Sequence, residues 1–316
     1  MTPASFLHFY EQSDIIVGEG AVIERLRRDT EWELDPHVVN AAFIYEEEKR
    51  VALETIYRQY LEVGFSTGLP LLLSTPTWRA SRERIKTAGY EDMAVNEDNY
   101  RFLDGLRRAY GAYADKVAIC GLMSCRGDAY NPSERLSEDD ARAFHAWQAQ
   151  ELAATGVDFL LASTLPALSE ATGIASAQAA TGKPYIISFV FRKDGTLLDG
   201  TPLKDAVSAI DAKVNPKPLA YMCNCTHASI FRSAMMHETH VSALVGKRVV
   251  GLLANTAALE PEELDSSKEL VSEAPELFGR DVASLHREFG MKILGGCCGT
   301  DQRHIQTLAE HLSTRT

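Results

Sequence analysis

Eight short apolar runs, separated by longer stretches of helical periodicity, leave this chain few ways to fold. The runs are residues 15–17, 69–74, 117–122, 159–162, 185–191, 219–222, 249–253 and 292–294. Most are apolar almost throughout, as expected of a strand buried on both faces. Helix-length segments between them supply the crossovers that parallel strands need. The helical pattern covers residues 38–63, 99–114, 137–155, 168–181 and 281–290. Start and stop signals mark several ends: Ser137 precedes Asp140 by three positions, Ala154-Thr155-Gly156 closes a helix, and Thr181-Gly182-Lys183-Pro184 leads into a strand. Repeated βα units with no linker predict an α/β fold closed as a (β/α)8 TIM barrel, one domain over residues 1–316. An open doubly wound sheet is the alternative that the pattern alone leaves standing. The polar stretch 260–278 reads as a long loop after the seventh strand.

Composition narrows the class of partner. A chain of 316 residues that is 45% hydrophobic can bury a sizeable core. A formal net charge of −12 argues against nucleic acid or an anionic membrane as a partner. No apolar run reaches the length of a membrane helix, and no basic segment followed by an apolar stretch opens the chain, so a cytoplasmic enzyme is the expectation. Self-association as a homo-oligomer is compatible with this.

Six cysteines, at 120, 125, 223, 225, 297 and 298, are too few and too uneven for a disulfide scaffold in a chain of this size. Two of them sit together in Gly295-Gly296-Cys297-Cys298-Gly299-Thr300, directly after the eighth run. Neighbouring extended residues point to opposite faces, so both thiolates reach one ion only if the chain bends between them, which the glycines permit. A third thiolate is offered by Cys225 in Tyr221-Met222-Cys223-Asn224-Cys225-Thr226-His227, after the sixth run. Three sulfur ligands with no fixed fourth suit Zn2+ with one open position. On a barrel, strands six and eight are one neighbour apart and their C-terminal ends share the catalytic rim. Cys223 lies two residues from Cys225, on the same side of a regular strand, and is read as packing. Cys120 is read as core; Cys125, in the loop that follows, is read first as packing, with a thiol near the site as the alternative.

The Asn224-Cys225 pair and the Gly295 to Gly299 motif resemble the homocysteine S-methyltransferase family, zinc-dependent thiol methylating enzymes that include betaine-homocysteine methyltransferase. The resemblance covers most of the chain. It implies a barrel fold, zinc ligands Cys225, Cys297 and Cys298, a role in methionine biosynthesis, and substrate contacts at Glu19, Trp78, Asn224, Ser163 and Asn255. Glu19-Gly20-Ala21 stands where the family carries Asp-Gly-Gly or Asp-Gly-Ala, Thr75-Pro76-Thr77-Trp78 matches its second-strand motif, and Ala254-Asn255-Thr256 matches its Pro-Asn turn with the proline lost. Ser163 replaces a family glutamate that binds the amino group of homocysteine. That exchange removes a charge-assisted partner for an ammonium, and Glu19 and Glu170 are the acids offered in compensation.

A small-molecule thiol acceptor has a pKa near ~8.5, so it needs a metal to hold it as thiolate. A cationic methyl donor, sulfonium or quaternary ammonium, leaves as a neutral molecule and needs no general acid. Trp78 offers an aromatic face for that cation, with Trp32 and Tyr130 as further aromatics. A free small-molecule donor is expected over methylcobalamin. His227 is a second-layer candidate beside the site. Gly18-Glu19-Gly20 fails as a dinucleotide loop because Ile23 stands at the third glycine position, and His237-Glu238-Thr239-His240 has its histidines three apart, unlike a zincin. Two other classes stay open at this point: a zinc barrel lyase or hydrolase using metal-activated water, and a thiol redox sensor or binding protein.

Overall fold

The eight runs form eight parallel strands that close on themselves. This computed structural model describes residues 3–29, 31–237, 242–260 and 272–314. The strands are β1 (Ile16–Gly18), β2 (Leu71–Ser74), β3 (Val117–Met123), β4 (Phe159–Leu165), β5 (Tyr185–Phe189), β6 (Ala220–His227), β7 (Val249–Asn255) and β8 (Ile293–Gly296). They follow chain order around a closed barrel, and Val17 of β1 pairs both Leu71 of β2 and Leu294 of β8. The (β/α)8 expectation therefore holds, and the open sheet is excluded.

Strand parity divides the core in two. Ile16, Leu72, Ala118, Cys120, Leu161, Ile186, Met222 and Ile293 fill the barrel interior, while their neighbours Val17, Leu71, Ile119, Leu160, Ile187, Cys223 and Leu294 face the helices. Each fully buried side chain of this size contributes roughly 1.5–3 kcal/mol. The lower end of the barrel is closed by the helix Pro3–Gln12, whose Phe6 stacks on Phe159 with ring centroids 4.6 Å apart. Sequence periodicity gave no notice of this plug.

Several boundaries differ from expectation. The helix expected over 38–63 begins only at Glu47 and runs to Thr67. Asp35 accepts the amides of His37 and Val38, Val39 turns to φ 60°, and residues 43–45 form a 3-10 turn, so residues before Glu47 pack as a loop. The helix expected over 99–114 spans Val95–Arg108, and the chain then breaks at Gly111 (φ 58°) into a 3-10 turn. Strands β4 and β6 run three and five residues past their apolar runs, because their last turns carry polar residues that line a cavity. Within the expected loop 260–278, Pro275 opens the helix Pro275–Phe289; residues 261–271 and the Glu238-Thr239-His240 stretch lie outside the described residues. No described helix is long and apolar enough to cross a membrane.

Candidate metal and substrate site

The rim at the strands' C-terminal ends gathers Cys225, Cys297 and Cys298, whose sulfur atoms all lie within 4.8 Å of one another. Cys225 arrives there through a bulge. Asn224 pairs with Leu253 and Thr226 with Ala254, so Cys225 is an extra residue with no partner on β7, and its φ is 53°. That corrects the parity argument: Cys223 and Cys225 do not share a side, since Cys223 is buried against the helices and Cys225 turns into the cavity. Holding a non-glycine residue in this backbone region costs about 1–3 kcal/mol, which the surrounding contacts must supply.

Cys297 and Cys298 sit on a tight turn after β8. The Cys297 amide continues the sheet to Ala254 O (2.6 Å), the Thr256 amide donates to Cys298 O (3.1 Å), and the Thr300 hydroxyl donates to Cys297 O (2.6 Å). Glu24 accepts the Gly299 amide. Gly299 has φ 82°, and a Cβ there would collide with Thr256 Oγ1, so only glycine fits. The two adjacent sulfurs are 4.0 Å apart, and all six cysteines are free thiols. Tetrahedral zinc with Zn–S bonds of about 2.3 Å separates its sulfurs by about 3.8 Å, so the three donors fit that ion by type, number and spacing. Donors surround Cys225: Cys297, Cys298, Tyr130 and Asn224 hydrogen-bond to it and hold its thiol well below the usual range despite burial. Cys297 and Cys298 are correspondingly pushed up, first through their hydrogen bonds with Cys225.

The thiols face a cavity of about 550 Å³ that Glu19, Trp78, Tyr130, Ser163, Asn224 and Asn255 also line. Glu19, just past β1, accepts the Ser74 amide on Oε1 (3.1 Å), while its buried Oε2 has no partner among the described residues. Burial drives its carboxyl up to about 8, against the opposing pull of Ser74. Asn255, at the end of β7, is buried with both side-chain amide atoms unpartnered among the described residues. Ser163 lies on the wall as a buried hydroxyl. Buried polar atoms without a protein partner are unfavourable until a ligand or water meets them.

Other expected residues behave differently. Trp78 lines the cavity, but the Arg79 guanidinium lies over its ring at 4.3 Å, anchored on Cys125 O and Gly127 O. One aromatic face is thus occupied by a cation of the protein itself. Glu170 does not reach the cavity: it accepts from the amides of Arg126 (2.7 Å) and Leu136 (3.3 Å) and pairs with His145 Nε2 (3.0 Å), fastening the loop after β3. Of these two acids, Glu19 is the one that lines the cavity. His227 caps the helix Ala228–Met235 through Nδ1 and Ser229, and its Nε2 faces Glu273 at 3.5 Å. Glu24 was missed because nothing about a surface-type helix residue signals a hydrogen bond to a distant glycine. Tyr130, one of the further aromatics of the sequence, hydrogen-bonds the Cys225 thiol.

Fold and site together define a (β/α)8 barrel enzyme with a thiol cluster on its catalytic rim. The chain belongs to the homocysteine S-methyltransferase family, whose model matches residues 16–312. Homocysteine S-methyltransferase YbgG of Bacillus subtilis (strain 168) is 23% identical over 318 residues, 96% of this chain and 96% of its own length. Betaine–homocysteine S-methyltransferase 1 of Bos taurus is 24% identical over 323 residues, 95% of this chain and 72% of its own. Among solved structures, the metallated form of the homocysteine methyltransferase MmuM from Escherichia coli aligns at a TM-score of 0.76 and 20% identity, over 99% of this chain and 100% of that one.

Proposed function

We propose that this protein is a zinc-dependent S-methyltransferase that moves a methyl group from a sulfonium or quaternary ammonium donor to homocysteine or a closely related thiol. The observation that carries this reading is the triad of sulfurs within 4.8 Å at the edge of a cavity where Glu19 Oε2 and the Asn255 side-chain amide lack partners among the described residues. Zinc held by Cys225, Cys297 and Cys298 would supply a Lewis acid that keeps the acceptor sulfur deprotonated and nucleophilic. Everything else falls to the chain. Ionised Glu19 accepts from the acceptor's ammonium, and the Asn255 amide can donate to its carboxylate. Trp78 offers the donor cation an aromatic contact on the cavity wall, an interaction of about 0.5–2 kcal/mol. Fixing donor methyl and acceptor sulfur in line can supply roughly 7–11 kcal/mol of the barrier. Residues 1–316 act here as one barrel unit, a cytoplasmic enzyme of methionine biosynthesis.

The hydrolase reading loses support because His227, one of its two bases, is committed to Ser229 and Glu273. The test is a matrix of acceptors and donors with the zinc-loaded protein. Homocysteine, cysteine and an amine-free thiol are each incubated with trideuteromethyl S-methylmethionine, betaine, a dimethylsulfonium acid and S-adenosylmethionine. The expected result is a trideuteromethyl thioether from homocysteine with at least one donor. No thioether from any pair would overturn the proposal.

A further inference from the structure

Two left-handed residues on the rim, one on β4 and one on β6, share one side chain. Thr164 (φ 58°) lies in a bulge of β4, where Ala162 pairs with Ile187 and Leu165 with Phe189, leaving Ser163 and Thr164 opposite Ser188 alone. Cys225 (φ 53°) lies in the bulge of β6 described above. Asn224 joins them. Its Oδ1 accepts from the Thr164 amide (2.9 Å) and the Ser188 hydroxyl (2.7 Å), and its Nδ2 donates to Thr164 Oγ1 (2.6 Å) and Cys225 Sγ (3.4 Å). Both N–H groups and both acceptor positions of the amide are thereby used, and the residue is buried.

We propose that Asn224 is a positioning residue of the thiolate site and not a substrate contact. It fastens the bulges of β4 and β6 to each other across β5, which turns Cys225 inward, and it places a donor on the Cys225 sulfur. Part of this inference, the effect on a bound metal, rests on the proposed zinc site. Without Asn224, Cys225 loses both the tie that orients it and an N–H that draws charge off its sulfur. Thr164 loses the acceptor that holds its amide in a conformation unfavourable for a β-branched residue. Partners of this kind, one shell out from a metal, typically change affinity by about 10–100-fold.

The test compares wild type, Asn224→Ala and Asn224→Asp, using Co2+ as the probe metal and amide hydrogen exchange in the metal-free protein. Aspartate keeps an acceptor for Thr164 and Ser188 but offers no N–H to the sulfur. Asn224→Ala should weaken Co2+ binding at least ~10-fold and speed exchange of the Thr164 amide ~10-fold, the scale of one lost hydrogen bond. Asn224→Asp should keep Thr164 protected while the sulfur-to-cobalt charge-transfer band moves to lower energy. Unchanged Co2+ affinity, band and Thr164 exchange in Asn224→Ala would overturn the proposal. So would variants that raise the KM for the thiol and leave the spectrum as in wild type. If Asn224→Ala fails to fold, the band of Asn224→Asp decides. Wild type that takes up no Co2+ would defeat the zinc reading, and Thr164 exchange would still decide whether the tie exists.

Discussion

Replacing Cys298 with alanine is expected to give a folded barrel that no longer retains zinc and turns over at least ~10²-fold more slowly. Thiolate zinc sites bind with apparent free energies of about 10–16 kcal/mol, so one ligand of three accounts for roughly 3–5 kcal/mol, or about 10²–10⁴-fold in affinity. The fold survives because Cys298 is exposed and its rim contacts are made by its backbone: Thr256 N still finds the 298 carbonyl. Cys223→Ala is the contrasting variant. That thiol is fully buried among the helix-facing side chains, so its loss should lower stability by about 1 kcal/mol or slightly more and leave zinc stoichiometry at wild-type level. Metal analysis of the purified variants, with circular dichroism to establish folding, separates the two. A Cys298→Ala protein that keeps a full complement of zinc would show that the triad is not the metal site.

Glu19→Gln should stabilise the fold and damage acceptor binding, with the balance set by pH. Burial holds the Glu19 carboxyl at about 8, whereas an unfolded glutamate titrates near ~4.3. Between these values the folded protein retains a proton that the unfolded chain has released. Stability from this group is therefore complete below ~4.3, declines as pH rises, and levels off above ~8. The full shift corresponds to a ceiling near ~5 kcal/mol, and relaxation around the group brings the expected penalty to about 2–4 kcal/mol. Glutamine carries no such penalty, so the melting temperatures of the two proteins should coincide near ~pH 4.3 and diverge in favour of glutamine toward ~pH 8. Catalysis should move the other way. An ammonium pays part of the cost of ionising Glu19, and losing that pairing removes about 1.5–3 kcal/mol, a ~10–100-fold rise in the KM for homocysteine. A melting difference independent of pH would contradict the buried, protonated state.

The barrel was legible because most strands are buried on both faces and show as nearly continuous apolar runs, even where the strand is only three residues long, as in β1. Convergence of Cys225, Cys297 and Cys298 was legible from their places after runs six and eight. What the pattern hid was local backbone irregularity. A period of two places Cys223 and Cys225 on one face, and the bulge at Cys225 undoes that count. The polar ends of β4 and β6 read as loops because residues facing a cavity do not alternate as core strands do. Glu170 illustrates a different limit: a carboxylate near a strand end can turn to loop amides as readily as to a substrate, and spacing does not distinguish them. Asn224 drew attention as part of a motif, yet three of its four hydrogen bonds reach Thr164 and Ser188, which sequence does not bring together with it.

Zinc K-edge X-ray absorption on the purified protein, with and without homocysteine, tests the central claim most directly. Three sulfur neighbours at about 2.3 Å in the free protein, rising to four on adding homocysteine, is the predicted result. Fewer than three sulfurs at the start, or a sulfur count that homocysteine leaves unchanged, would contradict it.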